Sequence, residues 1–161
     1  MAVLELNKKA KPINKWAEYI PEHLLDNFAK IDFVGSTFTC NPPPTTTDID
    51  VLCLLQPHIG IIDGAVAPLL EADFTFNDNY NMAEFSSMKK GKINIILTKH
   101  ESFFNGFIKA RNVCKLLNIM DKPTRIKVHQ LIMKEVQALP VKAKGNYAFA
   151  KILNPAAEIQ F

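Results

Sequence analysis

The chain has 161 residues, of which 48% are hydrophobic and 22% charged, so its composition is that of an ordinary globular protein with enough residues for one core. Its net charge of +3 is compatible with an anionic substrate but too small to indicate nucleic-acid binding by itself. The start lacks the apolar region of a signal peptide, and no apolar run approaches the ~18 residues of a membrane span. We therefore expect one domain over 1–161, in the cytoplasm and without a membrane partner.

Cysteine usage supports the same location. Cys40, Cys53 and Cys114 are odd in number and widely spaced, without the paired spacing of a metal site. This pattern favours reduced thiols over a disulfide framework.

The first part of the chain predicts a lead, a helix and a strand. Residues 1–14 show no clear period, and apolar residues at helical spacing then predict a helix from about Pro21 to Lys30 that includes Phe28. Phe33 and Val34 follow as a short buried strand.

The central stretch carries the residue types of a metal and phosphate site. Gly35-Ser36 follows the first strand, and Asp48-Ile49-Asp50 precedes the apolar run of 51–55. Because side chains alternate along a strand, Asp48 and Asp50 are expected on the same face, where they repel unless a cation lies between them. Carboxylate oxygens suit Mg²⁺ or Mn²⁺, and a Gly-Ser turn suits a phosphate oxygen. The alternative is a plain turn followed by a solvated strand start.

The middle of the chain predicts a broken helix and a hairpin. Apolar periodicity predicts a helix from Ile61 to Glu71 that Gly64 and Pro68 shorten or kink. Phe74 and Phe76 indicate a short extended segment. A hairpin is then predicted, with strands at 85–88 and 93–97 and a turn at 89–92.

The C-terminal part predicts a helical hairpin followed by a tail over about 141–161. The first helix spans 101–118 and the second runs from about Asp121 to Pro140. The expected buried positions are Phe103, Phe104, Phe107, Ile108, Cys114 and Leu117 on the first helix and Val128, Leu131, Ile132, Val136 and Leu139 on the second. The expected exposed basic face, open to a triphosphate or RNA or merely solvated, comprises Lys109, Arg111, Lys115, Lys122, Arg125, Lys127 and Lys134.

These elements predict an α/β fold of the α+β kind, with a small mixed sheet, helices packed on one face and a C-terminal helical hairpin. The order of Gly35-Ser36 and Asp48-Ile49-Asp50, each beside a strand, resembles the signature of the polymerase-β-type nucleotidyltransferase superfamily. Over about residues 30–135 the chain is also similar to short phage-encoded proteins assigned to that superfamily. The resemblance implies that Asp48 and Asp50 hold Mg²⁺ or Mn²⁺ and that Gly35 and Ser36 bind a nucleoside triphosphate.

One position departs from the superfamily pattern. The resemblance implies a third carboxylate on the strand at 93–97, where the best match is Asn94. An amide does not ionise, so it brings no charge to a second metal. A single metal with Asn94 orienting the site, recruitment of Asp63 or Glu84, and nucleotide binding without chemistry all remain open.

The sequence thus leads to two hypotheses. The first is a metal-dependent nucleotidyltransferase that transfers a nucleoside monophosphate from a nucleoside triphosphate to an acceptor hydroxyl, on RNA or on a host protein. The second is a weakened or inactive module of the same fold that binds nucleotide or a host protein. If the chain is phage-encoded, its location is the host cytoplasm.

Overall fold

The computed structural model describes residues 15–45, 48–77 and 85–135. Five strands form one mixed sheet in the order β1-β2-β5-β4-β3. They are β1 (Phe28–Val34), β2 (Ile49–Leu55), β3 (Thr75–Phe76), β4 (Phe85–Lys90) and β5 (Ile93–Thr98). The predicted α+β class, with its small mixed sheet and a C-terminal pair of helices, is confirmed.

The sheet is mixed because its central pair is parallel. Strands β2 and β5 run parallel, whereas β1 pairs with β2, β4 with β5 and β3 with β4 in antiparallel fashion. From Val51 to Leu55 every residue of β2 is buried, as expected for a central strand that is covered on both faces.

The helical segments range from single turns to four turns. Two 3₁₀ segments precede β1 at Lys15–Glu18 and Glu22–Asn27, and a π-helical turn at Ile62–Val66 precedes α2. The α-helices are α1 (Ser36–Thr39), α2 (Ala67–Glu71), α3 (Glu101–Leu116) and α4 (Lys122–Glu135). The helix predicted from Ile61 to Glu71 is present without a break, and its first part is π-helical over Ile62–Val66, the segment that contains Gly64.

Each face of the sheet has its own core. On one face, the N-terminal segments and the α2 region pack on the strands through Ile20, Leu24, Ile61, Ala65, Val66 and Leu69. On the other, α3 and α4 pack on Val34, Leu52, Leu54 and Ile96 through Phe103, Phe104, Phe107 and Met133. The second face carries the candidate site, because Asp50 shares the parity of Leu52 and Leu54 along β2.

The helix predicted from Pro21 to Lys30 is wrong in its second half. A 3₁₀ segment ends at Asn27, and Phe28 begins β1, where it pairs with Leu55. Burying Phe28 in the sheet thus outweighed the helical spacing of the apolar residues.

Three side chains of the helical pair differ from their predicted burial. Arg111, expected on the exposed face, is only 8% exposed, whereas Leu117 and Leu131, expected in the core, are 65% and 69% exposed. The buried positions of α4 are Ile126, His129 and Met133, which share one helical face from which Leu131 points away. Val136 and Leu139 lie outside the described residues, as do the lead and the tail.

Two further expectations can be compared with the structure. The three cysteines are free and buried. In the parts of the chain that the structure describes, no helix combines the length and apolarity needed to cross a bilayer.

Candidate functional site

The structure brings the glycine of the Gly-Ser turn against the second aspartate of the acidic pair. Gly35 has φ 80° and ψ 178°, a conformation almost restricted to glycine. A Cβ atom at this position would collide with the carboxylate of Asp50. Only a residue without a side chain therefore allows the backbone of this turn to lie against that carboxylate.

Strand register explains why these residues meet. Val34, the last residue of β1, pairs with Asp50, and Asp50 pairs with Asn94 on β5. Asn94 in turn pairs with Lys89 on β4. Directly paired residues share a face, so four neighbouring strands place Asp50, Asn94 and Lys89 in one row beside Gly35.

Asp50 is half-buried and electrostatically strained. The pKa of its carboxyl is raised from 3.8 to about 6, chiefly by burial and with a smaller contribution from the negative charge of Asp48. The hydrogen bond from Asn94 Nδ2 to Asp50 Oδ1, at 2.8 Å, and the charges of Lys89 and Lys122 oppose this shift without cancelling it. The charge on Asp50 is therefore only partly compensated by the protein.

Asn94 is held in one orientation by its neighbours. Its Oδ1 accepts hydrogen bonds from Ser87 Oγ at 2.8 Å and from Asn77 Nδ2 at 3.1 Å. Its Nδ2 donates to Asp50, and the residue is 8% exposed. Because only the amide nitrogen can donate to a carboxylate, these contacts fix which side of the amide faces Asp50.

Asp48 has a cation as its neighbour. Lys89 Nζ lies 2.8 Å from Asp48 Oδ2, and both side chains are about one-third exposed, at 34% and 37%. The hydroxyl of Thr37, in α1, donates to the backbone carbonyl of Asp48 at 2.7 Å. The Thr37 bond ties α1, which follows the Gly-Ser turn, to the residue that begins the acidic motif.

The donor set fits a divalent cation that keeps most of its waters. The carboxylates of Asp48 and Asp50 repel one another beside the turn at Gly35. Hard divalent cations bind carboxylate oxygens and complete their coordination with water and substrate phosphates. Within residues 15–45, 48–77 and 85–135, no group of at least three His, Cys, Asp or Glu side chains could hold a metal. A cation held by Asp48 and Asp50 would therefore need water or substrate oxygens for most of its ligands.

The two carboxylates suggested as substitutes for Asn94 do not reach it in the described structure. Asp63 is exposed, and the residue that follows it, Gly64, lies near Leu55 at the far end of β2 from Asp50. The carbonyl oxygen of Gly64 accepts a hydrogen bond from the side chain of Asn27. Glu84 lies outside the described residues.

Sequence reasoning missed Lys89, Ser87 and Asn77. Lys89 was assigned to a turn, but β4 continues to Lys90 and the hairpin loop is only Gly91-Lys92, with Gly91 at φ 59°. Two-residue loops with glycine first are typical of tight hairpins. Placing the loop at Gly91-Lys92 would have put Lys89 opposite Asn94.

The continuous basic face predicted on the helical pair is not formed as expected. Arg111 is buried against Asp32, with Nη1 and Oδ1 2.8 Å apart. Arg125 donates to the carbonyl oxygens of Ile119 and Met120 at 3.2 and 2.6 Å. The other predicted members in α3 and α4 (Lys109, Lys115, Lys122, Lys127 and Lys134) are exposed.

Comparisons with protein-family models, curated proteins and solved structures found no match.

Proposed function

We propose that this protein is a metal-dependent nucleotidyltransferase, which transfers a nucleoside monophosphate from a nucleoside triphosphate to an acceptor hydroxyl. The observation that carries the proposal is the contact between the backbone of Gly35 and the carboxylate of Asp50, beside Asp48. Eleven residues separate Ser36 from Asp48 in the sequence, and the fold brings the Gly35 backbone against the Asp50 carboxylate. Binding of a triphosphate together with a cation needs backbone N–H groups and carboxylates in one place.

In this proposal each residue has a limited role. Gly35 and Ser36 bind phosphate oxygens through their backbone, while Asp48 and Asp50 hold Mg²⁺ or Mn²⁺. Asn94 fixes the orientation of the Asp50 carboxylate through its amide. When bound, the cation would neutralise the triphosphate and stabilise charge on the leaving pyrophosphate.

The proposed reaction is an exchange at the α-phosphorus. A bond forms between the acceptor oxygen and the α-phosphorus, the bond to the pyrophosphate oxygen breaks, and the hydroxyl proton passes to solvent. Asn94 cannot take that proton because an amide is not a base at neutral pH. We propose RNA or a protein as the acceptor and the cytoplasm as the location, which the three free cysteines support.

The test is a transfer assay with each nucleoside triphosphate labelled at the α-phosphate. Purified protein, Mg²⁺ or Mn²⁺, and RNA or protein extracts should give labelled product, and γ-labelled nucleotide should give none. Asp48→Asn and Asp50→Asn should remove the product. Asp63→Asn is the matched control, because Asp63 is exposed at the far end of β2. Failure of every nucleotide with both metals and both extracts would refute the proposal.

The second candidate is a nucleotide-binding module without chemistry, and the surroundings of Asn94 favour it. The Asn94 amide is held by Ser87 and Asn77, and Lys89 already pairs with Asp48. The charge of Asp48 is thus balanced from within the site, although that of Asp50 is only partly compensated. In this case the partner would be a nucleotide or a host protein rather than an acceptor substrate.

Asn94→Asp separates the two candidates. In a weakened enzyme, the added carboxylate should increase transfer, because it supplies an anionic ligand and a proton acceptor. In a binding module the same change should leave transfer undetectable while nucleotide affinity, measured by calorimetry, still responds to Asp48→Asn. A gain in transfer would exclude the module.

A further inference from the structure

Lys89 is built into the candidate site rather than lying on an arbitrary surface. It faces the same side of the sheet as Asn94, its direct partner on β5, and its Nζ lies 2.8 Å from Asp48 Oδ2. Its neighbour Lys90 points to the other face, where its Nζ donates to the carbonyl oxygen of Ala72 at 3.0 Å. The side chains of these two adjacent lysines thus lie on opposite faces of the sheet, and only that of Lys89 contacts the acidic pair.

The position of the Lys89 ammonium has a direct consequence for cation binding. An ammonium and a divalent cation repel one another, and a cation held by Asp48 would use the carboxylate that Lys89 already contacts. A cation that binds Asp48 therefore has to displace Lys89 or share the carboxylate with it, which weakens binding through charge repulsion.

The Lys89 ammonium can also move to another position. Its side chain is 34% exposed and carries its charge on a flexible stem, so the ammonium can move without unfolding the strand. A triphosphate next to Gly35 would bring several anionic oxygens to the same edge of the sheet. Lysine binds phosphate as a mobile point charge.

From these contacts we propose that Lys89 is a tethered counter-cation, which neutralises Asp48 in the empty site and transfers to the triphosphate when metal and nucleotide bind. This inference rests on the proposed function, since it assigns Asp48 to the metal. It adds a positioning residue with two opposite effects: Lys89 weakens binding of the metal alone and strengthens binding of the nucleotide alone.

The experiment is calorimetric titration of the full chain with Mn²⁺ alone, and separately with ATP in the presence of EDTA. Lys89→Met keeps the length of the side chain and removes its charge. It should bind Mn²⁺ about two- to fivefold more tightly and ATP about two- to fivefold more weakly, as expected for loss of one partly exposed charge contact. Lys90→Met is the matched control and should leave both affinities unchanged. Lys89→Gln and thermal unfolding of each variant show whether the fold is retained.

The outcomes separate this inference from the proposed function. Mn²⁺ binding that is lost in Asp48→Asn but unchanged or weakened in Lys89→Met would overturn the role of Lys89 alone. Opposite shifts of the two affinities, in a protein that transfers no nucleotide, would support the role of Lys89 and refute the enzyme. An absence of Mn²⁺ binding in both the natural protein and Lys89→Met would overturn the role of Lys89, whereas the proposed function is refuted by failure of the transfer assay.

Discussion

Two polar clusters lie on the same face of the sheet and differ in how well their charges are matched. The Arg111 cluster comprises Arg111, Asp32, Asn112 and the carbonyl of Phe33. The acidic cluster comprises Asp48, Asp50, Asn94 and Lys89. In the first, the guanidinium donates to all three partners at 2.7 to 3.0 Å. In the second, burial and Asp48 still raise the pKa of Asp50 to about 6.

The difference indicates which cluster is structural and which is suited to a ligand. A buried cation whose three nitrogens each contact an acceptor contributes to folding and offers little to a substrate. A carboxylate pair that is only partly compensated gains by binding a cation. The comparison would fail if the Arg111 cluster controlled ligand binding or if the acidic cluster proved to stabilise the fold.

The largest effect is expected for Arg111→Ala. It removes the buried guanidinium from Asp32, from the carbonyl of Phe33 and from the ring of Phe38, so we expect a loss of about 3 kcal/mol in the free energy of unfolding. Urea denaturation measures this loss. Lys115→Met, which removes an exposed lysine above the same ring, should cost less than about 1 kcal/mol. Mn²⁺ affinity should be unchanged in both variants, and a tenfold loss in Arg111→Ala would contradict the structural assignment.

The next effect concerns pH and Asp50→Asn in metal-free protein. The pKa of Asp50 rises from 3.8 to about 6 on folding, so its contribution to stability is complete below pH 3.8 and is lost as the pH passes through about 6. At pH 8 the ionised carboxylate costs up to about 3 kcal/mol. Asp50→Asn should therefore stabilise the protein at pH 8 and have little effect at pH 4. Denaturation in EDTA at both values checks this, and equal effects would show that Asp50 is not strained.

Some features of the fold and of the two clusters could be predicted from the sequence, and others could not. The sheet and the helical pair follow from local patterns, because turn formers and apolar runs mark the ends of strands. The approach of Gly35 to Asp50 was expected only from the resemblance to the nucleotidyltransferase superfamily. The burial of Arg111 does not, since it depends on Asp32 of a distant strand supplying the acceptor. Lys89 was missed because its assignment depended on the length of one hairpin loop, and a shift in register changes the face of every residue.

A smaller effect is expected for Gly35→Ala. The positive φ of Gly35 and the collision of a Cβ with the Asp50 carboxylate should together cost about 2 kcal/mol. Gly91→Ala is a useful control, because Gly91 also has a positive φ but open space where a Cβ would lie. Gly91→Ala should cost less than Gly35→Ala and leave Mn²⁺ affinity unchanged. Equal losses of stability, together with intact Mn²⁺ binding in Gly35→Ala, would argue against contact between this turn and the acidic pair.

The smallest effect is expected for Ser87→Ala, which removes one hydrogen bond to Asn94 Oδ1 and should cost about 1 kcal/mol. Since Asn94 then keeps Asn77 as a donor, its orientation should be retained and Mn²⁺ affinity should change less than about threefold. Thermal unfolding measures the loss of stability, and Mn²⁺ titration measures the change in affinity. A large loss of affinity without loss of stability would mean that Ser87 itself contacts the ligand.

The most direct measurement is a crystal structure with Mn²⁺ and a non-hydrolysable nucleoside triphosphate, with anomalous scattering used to locate the metal. We predict an anomalous peak between the carboxylates of Asp48 and Asp50, with phosphate density against Gly35 and Ser36. Nucleotide bound elsewhere, or a metal at saturating concentration that avoids both aspartates, would contradict the account.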